Sequence, residues 1–115
     1  MATTARQLIP LKPVVFEILA ALGDDERHGW SLVREIQARL GGARIMPANF
    51  YRTLRGMLAD GLIEETAVRS GRDEDGRRRY FRVTPIGREA ARLEARRLCD
   101  LVADARTRRL LSRKP

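Results

Sequence analysis

Redox and metal chemistry have little to work with in this chain, which carries one cysteine, Cys99, and one histidine, His28. A single thiol forms no internal disulfide and no cysteine-based zinc site. Cys99 therefore reads as a small buried hydrophobe. His28, beside Gly29, reads as a hydrogen-bonded residue at a loop-to-helix hinge and not as a metal ligand. No Ser/His/Asp or Cys/His set and no glycine-rich phosphate loop is present, so the sequence points away from an enzyme and implies no cofactor. Residues 1–12 lack an apolar core of signal-peptide length, and Lys12 and Glu17 interrupt the hydrophobic run that follows. Export and membrane spanning are not expected, and a reducing cytoplasm is the expected location.

What the chain has in excess is positive charge. It carries 23 basic against 15 acidic residues, a formal +8, which makes polyanions, nucleic acid first, its natural partners. Of the 23 basic residues 21 are arginine, whose planar fork suits bidentate recognition of phosphate and guanine. A genome rich in G and C, whose codons favour arginine, explains the same bias equally well. With 115 residues, 43% of them apolar, there is room for one domain with a real core, though a domain this size gains from a second chain.

Val14, Val15, Ile18, Leu19 and Leu22 recur at helical spacing after Pro13 and stop at Gly23. Leu32, Val33, Ile36 and Leu40 mark a second helix that ends at Gly41-Gly42. Pro47 opens a third, with Phe50, Leu54, Met57 and Leu58 on one face. Its other face carries Ala48, Asn49, Arg52, Arg55, Gly56 and Ala59, long hydrogen-bonding groups among very small ones. Residues 62–68 and 79–84 are then richer in β-branched residues and alternate, which predicts a hairpin with a long polar tip at residues 70–76. Thr84-Pro85 starts a last helix, whose stripe runs from Ile86 through Ala90, Leu93, Leu98, Leu101 and Val102 to Ala105. About 24 residues at 1.5 Å each make a continuous rod of roughly 36 Å, too long for the core it covers. Only residues 1–7 and 111–115 look frayed.

Three short helices followed by a hairpin is the order of a winged helix-turn-helix. The expected fold is thus mainly α with a small β-hairpin: a DNA-binding domain over residues 8–84 and a C-terminal dimerisation helix over 85–110, packed as one unit. Asn49 is placed to read adenine, and Arg52 or Arg55 to grip guanine O6 and N7. Tyr51, beside the buried stripe, either offers its hydroxyl to a phosphate or merely packs. Arg77, Arg78 and Arg79, with Arg72 across the loop, are candidates for phosphate or minor-groove contact, or else balance Asp73, Glu74 and Asp75. Residues 85–115 hold nine basic and four acidic side chains, a net +5, which adds non-specific attraction to DNA or simply solvates a helix. The expected dimer seam joins Leu93, Leu98, Leu101, Val102 and Ala105, with Val15 and Leu19 of the first helix contributing.

Four stretches also resemble the PadR-like transcriptional regulators: His28-Gly29-Trp30, the helix from Pro47 to Leu54, the turn Asp60-Gly61-Leu62-Ile63, and the strand from Arg79 to Thr84 leading to Gly87. The resemblance covers nearly all of residues 11–101 and is to the short branch with a single C-terminal helix. It implies a homodimeric regulator of double-stranded DNA with a pseudo-palindromic operator, usually a repressor released by a small-molecule effector or another signal. Three departures matter. Met46-Pro47-Ala48-Asn49 stands where Ser-Pro-Gly-Thr is common, so base preference does not transfer; Trp30 replaces the usual tyrosine; and the last helix lacks the aromatics on which drug-binding relatives stack ligands. Two other classes stay open: a winged-helix adaptor that docks a protein partner without reading DNA, and an RNA-binding protein. The latter is disfavoured because the hairpin has only Tyr80 and Phe81 for base stacking.

Overall fold

A computed structural model describes residues 4–39, 47–66 and 80–112, with Pro47 and Ala48 as backbone alone. The helices are α1 (Ala5–Leu8), α2 (Pro13–Leu22), α3 (Gly29–Arg39), α4 (Pro47–Ala59), α5 (Pro85–Ala103) and α6 (Ala105–Ser112), and the strands β1 (Arg27–His28), β2 (Ile63–Thr66) and β3 (Tyr80–Val83). The three periodic stripes close on one another: Ile18 and Leu22 from α2, Leu32 and Ile36 from α3, and Phe50 and Leu54 from α4 are all buried. The mainly α winged helix-turn-helix with a small sheet is therefore the observed architecture.

β2 and β3 pair antiparallel, with Ile63 opposite Val83 and Glu64 opposite Arg82. Ile63 and Phe81 turn inward, while Glu64 and Arg82 form a cross-strand ion pair at 3.1 Å on the wet face. β1, a strand not foreseen, adds to the other edge of β3, giving the order β1-β3-β2. Its Arg27 side chain reaches Glu35 and the Ser31 hydroxyl of α3, so the strand is clamped to the helix that follows it.

The N-terminus differs from expectation. Residues 4–8 are not frayed: the Thr4 hydroxyl accepts from the Gln7 N–H, and the Gln7 side chain accepts from the Thr4 N–H at 2.9 Å, a complete capping box. α1 and the segment to Lys12 form a strap across α5. Glu94, only 2% exposed, fixes it by accepting the backbone N–H of Leu11 while bonding both forks of Arg97 at 2.9 and 2.7 Å.

Thr84 begins α5 by accepting the Gly87 N–H at 3.0 Å and donating its own hydroxyl to the carbonyls of Gly61 and Leu62. This knot joins the turn after α4, the end of β3 and the start of α5. The last helix is not one rod, however. At Asp104 the backbone turns extended (ψ 136°), and the Asp104 carboxylate accepts the Arg106 N–H at 2.8 Å, capping a separate α6. Nor is Cys99 buried; it is exposed, lying on α5 beyond Glu94, the last buried residue of that helix. The helix also continues through Leu111 and Ser112, where fraying was expected. With α6 projecting, the radius of gyration is 16.2 Å, against roughly 13 Å for a compact chain of this length.

Candidate nucleic-acid interface

α3 and α4 make the helix-turn-helix pair. The first turn of α3 is held by His28, whose Nδ1 accepts the Ser31 N–H at 3.2 Å and whose ring meets Tyr80 of β3 edge-on at 5.6 Å. The hinge role expected of His28 is thus a helix cap braced by the sheet. Gly29 lies buried against α4, where an added Cβ would stand 3.1 Å from the Tyr51 ring. That close approach sets the crossing of the two helices.

On α4, Phe50, Leu54 and Met57 are buried, and Asn49, Arg52 and Arg55 stand in solvent on the other side. One side chain orients another here. Arg52 Nη1 donates to Asn49 Oδ1 at 3.4 Å, a long bond that biases the guanidinium while leaving its remaining donors free. Tyr51, 39% exposed, packs its ring edge-on to Phe50 at 5.9 Å, and an added Cβ at Gly29 would stand 3.6 Å from its hydroxyl. Ala48 occupies the second position of α4, and its side chain lies outside the described residues, as do Arg72, Arg77, Arg78 and Arg79.

Of two exposed residues of α3, sequence reasoning noted Trp30 only as a departure from the usual tyrosine and passed over Arg34. Trp30, 59% exposed, and Arg34 share a groove with Arg27, Ser31 and Glu35. Their i, i+4 spacing was the signal that they share a face.

The residues expected at a dimer seam separate in the structure. Leu19 is 3% exposed and packs into the chain's own core, so it offers no surface to a partner. Val15 and Leu93 are half-buried against that core. Leu101 and Val102 are about half exposed, at 49% and 51%, and Ala105 is exposed. Leu98, Cys99, Val102, Ala103 and Leu111 line an almost wholly apolar crook where α6 turns off α5, with Arg108 at its edge. Leu110 and Leu111, 71% and 74% exposed, extend that face beyond the stripe read from sequence. Among the described residues no helix is long and apolar enough to cross a membrane, and no cluster of metal-ligating side chains occurs.

Comparison with known proteins agrees with this geometry. Residues 18–93 match the model of the transcriptional regulator PadR-like family. The chain is 38% identical over 92 residues to the transcriptional regulator Rv3488 of Mycobacterium tuberculosis, covering 79% of this chain and 80% of that protein. Among solved structures, the complex structure of hsRosR-S4 superimposes with a TM-score of 0.70 at 26% identity, covering 93% of this chain and 89% of that one. A PadR family transcription regulator from Clostridium difficile shares the fold, with a TM-score of 0.63 at 18% identity over 79% of this chain and 95% of the other.

Proposed function

The chain belongs to the PadR-like family, whose members are DNA-binding transcriptional regulators and not enzymes, and from that premise we propose that it is a homodimeric, cytoplasmic repressor that reads a pseudo-palindromic operator with α4. The observation that carries this reading is the solvent face of α4, where Arg52 and Arg55 extend beside Asn49 with no acidic partner among the described residues. An α-helix fits the major groove, where a guanidinium recognises guanine O6 and N7 and discriminates by about 1–3 kcal/mol. Asn49 faces adenine or steers Arg52. Ala48 lets the start of α4 approach closely, and the Tyr51 hydroxyl takes a phosphate.

The first helix of such a pair crosses the DNA backbone, so the Trp30 indole N–H and Arg34 on α3 are assigned to phosphates. Arg77, Arg78 and Arg79, expected from sequence at the exit of the hairpin loop, with Arg72 across it, are assigned the same role on the flanking backbone. A second copy joined along Leu98, Leu101, Val102 and Ala105 sets two α4 helices one DNA turn apart, about 34 Å. A small-molecule or other signal releases the operator.

The test begins with duplexes selected from a random pool by the purified protein. Arg52→Ala is expected to weaken the selected duplex by about tenfold or more, beyond its effect on scrambled DNA. Equal losses on both would remove base reading from Arg52. Replacing Arg77, Arg78 and Arg79 together by Ala should reduce the slope of log affinity against log salt by about one unit per lost contact. Failure to bind any duplex in dilute buffer would favour the protein-docking adaptor, which the exposed α5–α6 face also suits.

A further inference from the structure

A cleft of about 330 Å³ lies between the N-terminal strap and α4, on the flank of the reading helix. That volume is at the small end of ligand pockets. We propose that this cleft is the effector site, that it takes a short aliphatic carboxylate, and that binding draws Arg52 off the DNA; the inference rests on the reading role given to Arg52 above.

Three features of the cleft select that ligand. Its walls are Leu8, Leu11, Val15, Met57 and Leu62, aliphatic throughout, which suits an alkyl body and offers nothing for a ring to stack on. Gly56, exposed on α4, also lines it, and an added Cβ there would meet nothing within 4 Å. A glycine in mid-helix weakens the helix, and among the described residues no close packing requires one here; it leaves open volume beside the rim. The rim carries Lys12, Arg52, Thr53 and Asp60. Neither Lys12 nor Arg52 has an acidic partner among the described residues, since Arg52 bonds only the neutral Asn49 side chain. Asp60 follows the end of α4, eight residues beyond Arg52, roughly 12 Å along the helix axis, too far to neutralise it. Two cations against one anion leave a net positive rim, and a guanidinium fork matches a carboxylate in both spacing and plane.

The coupling follows from what is fixed and what is free. The strap side is tied down, because the Leu11 N–H is held by buried Glu94. Arg52 is exposed and held only by a 3.4 Å bond to Asn49. A carboxylate in the cleft therefore moves the Arg52 guanidinium toward Lys12, away from the groove-facing side of α4.

Calorimetric titration of the full chain with hexanoate, without DNA, is expected to reveal one saturable site per chain. Hexan-1-ol should bind about tenfold more weakly, Lys12→Gln should weaken hexanoate about fivefold, and Asp60→Asn should tighten it about twofold by removing a like charge. Gly56→Leu, whose side chain would occupy the open space beside Gly56, should abolish binding. Equal affinity for hexanoate and hexan-1-ol, or an unaltered Lys12→Gln, would overturn the cleft. Saturating hexanoate should then weaken the selected duplex about tenfold in the native chain, by competition for the Arg52 charge. Lys12→Gln should keep its duplex affinity and lose that response. Hexanoate binding with undiminished duplex affinity would overturn the effector role. A chain that bound no duplex at all would overturn the effector role together with the reading of Arg52, while the titration without DNA still decides whether the cleft binds.

Discussion

The two halves of α5 are alike in composition and opposite in fate. The first half buries Gly87, Ala90 and Glu94 against the strap, the turn after α4 and the sheet. The second half, with α6, keeps Leu101, Val102, Leu110 and Leu111 in water. α6 is eight residues long and has no buried residue, and isolated helices of that length are marginal in water. One half of the helix is therefore explained by its own chain, and the other has a reason only if something covers it. A helical period in the sequence reports that a face is apolar, and says nothing about whose surface it meets.

The sharpest way to break that contrast is at Gly87. An added Cβ there would lie 2.0 Å from the Leu62 carbonyl oxygen, inside the knot that Thr84 ties, and that oxygen is backbone, not the free end of a flexible side chain. Gly87→Ala is expected to cost about 3 kcal/mol or more, read as a shift of the urea midpoint. Unchanged stability would mean that the start of α5 is not pinned as described. At the other end, Leu101→Glu should leave the monomer's fold intact, since Leu101 is 49% exposed. It should convert dimers to monomers in sedimentation velocity at micromolar concentration, with a loss of association of about 2–3 kcal/mol. A persistent dimer would move the seam away from the second half of α5.

Much of this was legible beforehand, and the reasons divide cleanly. α2, α3 and α4 followed from stripes whose partners are one another, and the solvent side of α4 followed from the stripe opposite it. β1 was not legible, because two residues are too few to show alternation and the strand exists only by pairing Arg27 and His28 with β3. α1 was overlooked although Thr4 and Gln7 spell a capping box, the weight having gone to the frayed terminus that is usual. The break at Asp104 was hidden because the apolar period runs straight through it, while the aspartate caps locally. Within the candidate interface the sequence pointed to Asn49, Arg52 and Arg55 one by one. Their arrangement, with Asn49 orienting Arg52, came only from geometry.

The smallest effect tests the brace itself. Glu94 lies in the first half of α5, and its carboxyl is held below the ordinary range by the hydrogen bonds from Arg97, against the upward push of burial and with help from the Leu11 N–H. A folded-state pKa below the unfolded one means that the unfolded chain takes up the proton first as the solution is acidified. The stabilisation is therefore complete above the ordinary glutamate value of about 4.3 and drains away as pH falls from there through the lower folded value. Glu94→Gln should cost about 1–2 kcal/mol at pH 7, the size of a lost charge-assisted hydrogen bond. The gap to the native chain should close toward pH 3, a fall read from urea midpoints across the series. Glu89, paired with Arg92 at 2.7 Å in open solvent, provides the control: Glu89→Gln should leave the pH 7 midpoint where it was, because an exposed pair is screened and its geometry is easily lost. If both substitutions cost the same, burial confers nothing on Glu94, and the distinction between a held half and a free half of α5 fails where it is most specific.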